Sequence, residues 1–259
     1  MKSLIKTLLA SIGLELRRTR PTIGTFPLDP YFAQKEFIEK LGVSDPVIFD
    51  IGAHMGETVN RYKGLFKDSS VYCFEPFPDN VRFLRSRYSS DPTIHVFDQA
   101  VSDSCGMKTF YVNENDATNS LLPRDKSGRR YYSKAAAAKT QLDIETITID
   151  EVMKQHGIES VDILKLDIQG GELMALQGAE KALHQQRISI LYSEALFVPH
   201  YENNPLLRDL WNYLQQFGYT IFNIYDLYRA ANGQLRFADV IFVSKQVRSN
   251  VLDRYKAEP

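Results

Sequence analysis

Five acidic residues, Asp50, Glu75, Asp98, Asp167 and Glu194, each stand at the end of a short apolar run. Taken singly, each reads as well as a helix cap or a solvated strand end. Gathered on one rim, they would make an anionic edge. Such an edge suits a ligand that carries positive charge or many hydroxyls. The histidines His54, His95, His156, His184 and His200 are scattered, and Cys73 and Cys105 lack metal-ligand spacing. No metal site is expected from that pattern.

The run Asp50-Ile51-Gly52-Ala53-His54-Met55-Gly56-Glu57-Thr58 is the most specific. Gly52, without a Cβ, lets the backbone turn tightly and approach a ligand. Gly56 lets the following helix pack close to the strand. The turn is similar to a dinucleotide-binding turn but is not G-x-G-x-x-G. Asp50 would repel a pyrophosphate and is better placed to meet an ammonium group. Glu75 ends the next strand, about 23 residues beyond Gly52. An acid there accepts hydrogen bonds from ribose hydroxyls. A ribose plus an amino-acid ammonium describes S-adenosylmethionine. A nicotinamide cofactor is the competing ligand on spacing alone.

A second dense block, DILKLDIQGGE, covers residues 162–172. Lys165 and Asp167 alternate with Leu164 and Leu166, so the polar pair shares one face of a strand. Gly170 and Gly171 open a turn, and Glu172 starts a helix. One reading makes this a buried Lys–acid brace for the sheet. The other puts Asp167 and Glu172 beside a transferring methyl group.

These residues need a scaffold, and the hydrophobic rhythm supplies one. Apolar runs at 47–51, 71–74, 93–97, 161–166 and 188–192 read as strands. Helical stretches alternate with them: about 57–66, 78–88, 172–183 and 206–217. Asp150 reads as the cap of a short helix ending near Gly157. That alternation implies βαβ units in a doubly wound, mostly parallel sheet with helices on both faces. Two closing strands, 219–224 and 240–243, follow one another without a helix. Residues 1–42 read as an N-terminal helical segment and linker, 43–245 as the domain and 246–259 as a tail. Phe32, Phe37, Ile38 and Leu41 are expected on one side of a helix over 31–41. Residues 113–140 read as an inserted loop or lid. The aromatics Tyr192, Phe197, Tyr201, Trp211, Tyr225 and Tyr228 crowd the C-terminal half, as core or as substrate contacts.

Composition bounds the partners. The chain has 259 residues, 44% hydrophobic and 24% charged, with a net charge of −1. No global field exists to hold nucleic acid. Two cysteines cannot staple a chain this long, and a reducing, cytoplasmic compartment fits them. Residues 1–20 carry Lys2, Lys6, Arg17, Arg18 and Arg20 around helically spaced leucines. They are too short and too charged to span a bilayer. They read either as a helix packed on the domain or as a basic amphipathic helix on a membrane surface or partner.

Six stretches together resemble the FkbM family of S-adenosylmethionine-dependent methyltransferases, of the class I, Rossmann-like type. They are VIFDIGAHMGET (47–58), VYCFEPFPDNVRFLR (71–85), QAVSDSCG (99–106), TIDEV (148–152), DILKLDIQGGELMALQGAEKAL (162–183) and the SE of LYSEA (191–195). The resemblance implies a seven-stranded sheet with its last strand antiparallel. It implies that Asp50, Gly52, Ala53, His54 and Gly56 hold the methionine end of the cofactor. Glu75 would hold the ribose and Asp98 would meet the adenine. It also implies O-methylation of a sugar, glycan or secondary metabolite. One position departs: the family's K-x-D-x-E-G-x-E block has Gln169 at its first glutamate.

A hydroxyl attacks a methyl sulfonium well only if its proton leaves as the bond forms. Candidate proton acceptors are Asp167, Glu172 and Glu194, followed by His54. Two other functions compete. Gln169 is consistent with a non-catalytic S-adenosylmethionine-binding module, and the first turn with a nicotinamide oxidoreductase.

Overall fold

The computed structural model describes residues 26–125 and 138–254. The expected helix at the amino terminus, and Arg129 and Arg130 of the expected lid, lie outside the described residues. A seven-stranded sheet organises the rest, in the order β3-β2-β1-β7-β8-β10-β9. Its strands are β1 (Val47–Ile51), β2 (Ser70–Phe74), β3 (Ile94–Phe97), β7 (Val161–Leu166), β8 (Ile188–Leu196), β9 (Thr220–Arg229) and β10 (Leu235–Val243). All pairings are parallel except those of β10, which runs antiparallel to both β8 and β9.

Strand alternation feeds two cores. Phe49, Ile51, Leu164, Leu166 and Leu191 face one side of the sheet. There they pack against α4 (Ile149–Gln155), α5 (Glu172–Gln177), α6 (Glu180–His184) and α7 (Leu207–Gln216). Ile48, Cys73, Ile163, Ile190 and Ile241 face the other. They meet α1 (Pro30–Leu41), α2 (Glu57–Leu65), α3 (Pro78–Arg87) and α8 (Lys245–Asn250). The chain changes side between β1 and β7, where strand order reverses.

Several boundaries differ from the sequence reading. Asp29 caps α1 by accepting from the backbone of Tyr31 and Phe32. Phe32 is exposed, whereas Phe37 and Ile38 are buried, so α1 belongs to the domain core rather than to a separate segment. Thr148, not Asp150, caps α4. Asp150 instead accepts from the backbone N–H groups of Lys181 and Ala182, at the start of α6. The helix expected over 172–183 is two helices, because Gly178 packs on Ser102. A Cβ at 178 would lie 2.1 Å from the Ser102 carbonyl oxygen. Beyond residue 245, Val247 of α8 and Val251 just after it are buried against the core instead of trailing as a tail.

A second sheet, ordered β4-β6-β5, comes from β4 (Ala100–Val101), β5 (Gly106–Asn113) and β6 (Ala138–Ile147). β6 starts inside the stretch read as an insert.

Candidate active site

The C-terminal ends of β1 and β7 flank the point where strand order reverses. Open α/β sheets bind ligands there, because the diverging connections leave a crevice. A cavity of about 200 Å³ occupies this crevice. Its floor is the turn after β1 and the turn after β7. Ala100, Val101 and Phe110 of the second sheet wall it, and Asp116, Ala117, Asn119 and Leu121 close it from the loop after β5.

The turn after β1 is drawn tight. The N–H groups of Gly52 and Ala53 both donate to the Phe74 carbonyl, at 2.9 and 3.1 Å. Gly52 has φ of 84°, and a Cβ on it would lie 2.0 Å from the Asp167 carbonyl oxygen. Only glycine fits that conformation and that contact. His54 follows with φ of 47° and aims its N–H at Glu75 Oε2, at 2.9 Å. The N–H of Phe77 takes Glu75 Oε1 at 3.0 Å. Burial pushes the Glu75 carboxyl up, and these two N–H donors oppose that rise. Glu75 is thus a fixed carboxylate on the cavity wall. The His54 ring reaches across to the capping loop, with Nε2 3.3 Å from Asp116 Oδ2.

Gly56 serves a different neighbour from the one expected. Its φ is 81°, and a Cβ there would meet the Tyr88 hydroxyl at 2.5 Å. That hydroxyl donates to the Gly56 carbonyl at 2.9 Å. The close approach is to the end of α3, not to the strand.

Asp50 corrects the sequence reading most sharply. It is fully buried and does not line the cavity. Its Oδ1 lies 3.1 Å from Lys165 Nζ, which also donates to the Gly52 carbonyl at 3.2 Å. Lys165 stands between Asp50 and the cavity, so Asp50 is not placed to receive a ligand's ammonium. Burial alone would lower the Lys165 ammonium's pKa, but Asp50 and Asp167 outweigh it and raise it. Lys165 is therefore held protonated. Its charge is shared with Asp167 Oδ2 at 3.7 Å. The Asp167 side chain, 45% exposed, is the acid of this pair that faces the cavity.

Three further expectations change. Glu172 is 2% exposed and absent from the cavity wall. Its Oε1 accepts from the N–H groups of Ile168 and Gly170, which makes it a clamp on the turn rather than a proton acceptor. Burial pushes it up to about 7. Asp98 pairs with Arg85 at 3.0 Å on the exposed surface, outside the cavity. Glu194 sits behind the wall, with Oε2 accepting from Gln169 Nε2 at 3.1 Å. Burial holds its carboxyl well above the usual range.

Asp116 and Asp239 escaped the sequence reading. Asp116 lies in NENDATNS, a turn-rich run that offers no apolar period to anchor it. Asp239 is an acid inside the apolar strand FADVIFV, and that anomaly was the available signal. It lies directly across β8–β10 from Glu194 and accepts from the Tyr192 hydroxyl at 2.6 Å. Burial pushes it up to about 6. Among the described residues, no cluster of His, Cys, Asp and Glu is arranged to hold a metal ion. No helix among them is long and apolar enough to cross a membrane.

Residues 50–221 match the Methyltransferase FkbM domain. The chain belongs to the FkbM methyltransferase family. It is an S-adenosylmethionine-dependent methyltransferase. It is 27% identical over 217 residues to the 2-O-methyltransferase NoeI of Sinorhizobium fredii, covering 81% of this chain and 87% of that protein. It is 28% identical over 156 residues to the 31-O-demethyl-FK506 methyltransferase FkbM of Streptomyces tacrolimicus, covering 52% and 60% of the two chains. The solved structure of precorrin-6y C5,15-methyltransferase from Geobacter metallireducens superposes with a TM-score of 0.43 at 10% identity, over 82% of this chain and 88% of that one. Membership of the FkbM family sets aside the nicotinamide oxidoreductase and the non-catalytic module.

Proposed function

We propose that this FkbM-family enzyme O-methylates a hydroxyl of a sugar or another small metabolite, with Asp167 accepting the hydroxyl proton. The single observation that carries this reading is the placement of Asp167. It is a half-exposed carboxylate at the carboxyl end of β7, facing the cavity at the reversal of strand order. Of the two relatives described above, one is named a 2-O-methyltransferase and the other a 31-O-demethyl-FK506 methyltransferase.

S-adenosylmethionine supplies a methyl group already activated as a sulfonium. The donor set on the cavity wall fits that cofactor in part. Glu75 is a buried carboxylate whose oxygens each receive one backbone N–H, leaving acceptor capacity for ribose hydroxyls. Gly52 and Ala53 bring bare backbone to the cavity edge. Asp50 does not fit the role of ammonium partner. The acids that line the cavity are Glu57, Glu75, Asp116 and Asp167. They favour a ligand with cationic groups without a buried countercharge aimed at it.

The protein's own part is alignment and proton removal. An acceptor hydroxyl donating to Asp167 is oriented with its lone pair free to attack. With the cofactor bound, the oxygen–methyl bond would form as the methyl–sulfur bond breaks and S-adenosylhomocysteine leaves, and the hydroxyl proton would pass to the Asp167 carboxylate. A positioned carboxylate contributes about 10²–10⁴-fold in rate. Asp167→Asn should lower kcat by roughly that factor, in assays of radiolabelled methyl transfer to a panel of sugars and glycans. Titration calorimetry with S-adenosylhomocysteine should return an affinity within about threefold of the parent. An Asp167→Asn enzyme as fast as the parent removes Asp167 as base, and no transfer by the parent to any hydroxyl removes the acceptor class.

A further inference from the structure

Gln169, two residues beyond Asp167, is tied through both its side chain and its backbone. Its Nε2 donates to Asp167 Oδ1 at 3.2 Å and to Glu194 Oε2 at 3.1 Å. Its Oε1 accepts from the Tyr201 hydroxyl at 2.7 Å. Its carbonyl oxygen accepts from Ser120 Oγ at 2.8 Å. Its backbone is left-handed, with φ of 56°, a conformation that costs a residue with a Cβ and persists only where the surroundings fix it. Both amide hydrogens are committed to carboxylates, and the amide oxygen to a hydroxyl. The amide orientation follows, since each atom meets a complementary partner.

A neutral amide can donate to both acids at once here. The charged groups around Glu194 are the acids Asp167, Glu172 and Asp239 and the cation Lys165. A carboxylate at 169 could not donate to Asp167 or Glu194, and it would add another like charge. We propose that Gln169 is a positioning residue for methyl transfer: it ties Asp167 to Glu194 at fixed spacing and is itself anchored by Tyr201 and Ser120. This rests on the reading of Asp167 as proton acceptor, but its geometry is testable without turnover.

The test compares the full-length parent with Q169E, Q169A and Y201F. The first readout is carboxyl carbon NMR titration of the Asp167–Glu194 pair, assigned with D167N and E194Q. The upper apparent midpoint, supplied by the Glu194 carboxyl that burial raises, is the quantity to follow. Q169E should move the upper apparent midpoint up by about one unit or more, as an added like charge does. The acidic limb of kcat/KM against pH should move the same way. Q169A should lower kcat about tenfold or more through lost alignment, with a smaller loss in Y201F and no shift of its limb. Affinity for S-adenosylhomocysteine should stay within about threefold in all three, and circular dichroism should match the parent. Unchanged carboxyl titration in folded Q169E overturns the inference. So does a tenfold loss of S-adenosylhomocysteine affinity in Q169A, which would make Gln169 a cofactor ligand. If the NMR shift appears but the parent methylates no hydroxyl, the positioning role stands and the acceptor assignment falls.

Discussion

At the scale of single residues, Asp50 and Glu172 show how burial redirects an acid. Asp50 is fully buried with Lys165 as its partner. Removing one member of a buried pair leaves the other charge without compensation and costs about 3–5 kcal/mol. Asp50→Asn should therefore lower the urea midpoint of unfolding by a corresponding amount. Glu172 keeps its proton up to about 7, whereas an ordinary glutamate loses it near 4.5. Between those values the native state binds a proton that the unfolded state has released. Stability from this group is full below the lower value and falls as pH rises to the upper one. Glu172→Gln lacks that fall and can still accept both turn N–H groups. Its melting temperature relative to the parent should climb from pH 4.5 to 7 and then level, with kcat little changed.

The sequence disclosed which acids sit at strand ends, because alternation and apolar runs are local. It did not disclose their burial. Asp50 and Asp167 follow similar runs, yet one is sealed by a lysine from the neighbouring strand and the other is open. That difference arises only when β1 and β7 are side by side. The surface pairing of Asp98 was hidden for the same reason, since its partner Arg85 lies on a helix that sequence spacing does not connect to it.

At the scale of elements, β1, β2, β3, β7 and α1–α3 were legible almost to the residue, whereas β8 runs on to Leu196, past the expected end at 192. Their apolar runs are short, β-rich and bounded by turn residues. The second sheet was not, because β4 is two residues long and β6 takes its partners from distant segments. Gly178 marks where that sheet docks. Its φ is ordinary, so alanine would suit the backbone, but its Cβ would collide with Ser102. Gly178→Ala should lower the melting temperature by several degrees, seen by calorimetry, even though alanine normally favours helix. Gly52→Ala adds both a left-handed backbone and a clash with Asp167. It should abolish S-adenosylhomocysteine binding in calorimetry as well as destabilise the fold.

At the scale of the whole molecule, the cavity joins two sheets and the loop after β5. A ligand that bridges them acts on global stability. S-adenosylhomocysteine at about a hundred times its Kd should add about 2.7 kcal/mol. For a domain of this size that is roughly 5–10 °C in Tm. Glu75→Ala should lose most of the shift if Glu75 holds the ribose.

The strand order carries one further consequence, for biosynthesis. β10 lies between β8 and β9, although it is made after both. A nascent chain that has reached only residue 234 therefore offers β8 an open edge and leaves β9 without its neighbour. Exposed strand edges invite pairing between chains. The enzyme cannot close its sheet as it leaves the ribosome. Premature stop codons that remove β10, before residue 243, should produce sticky, chaperone-bound fragments rather than a slightly shortened methyltransferase.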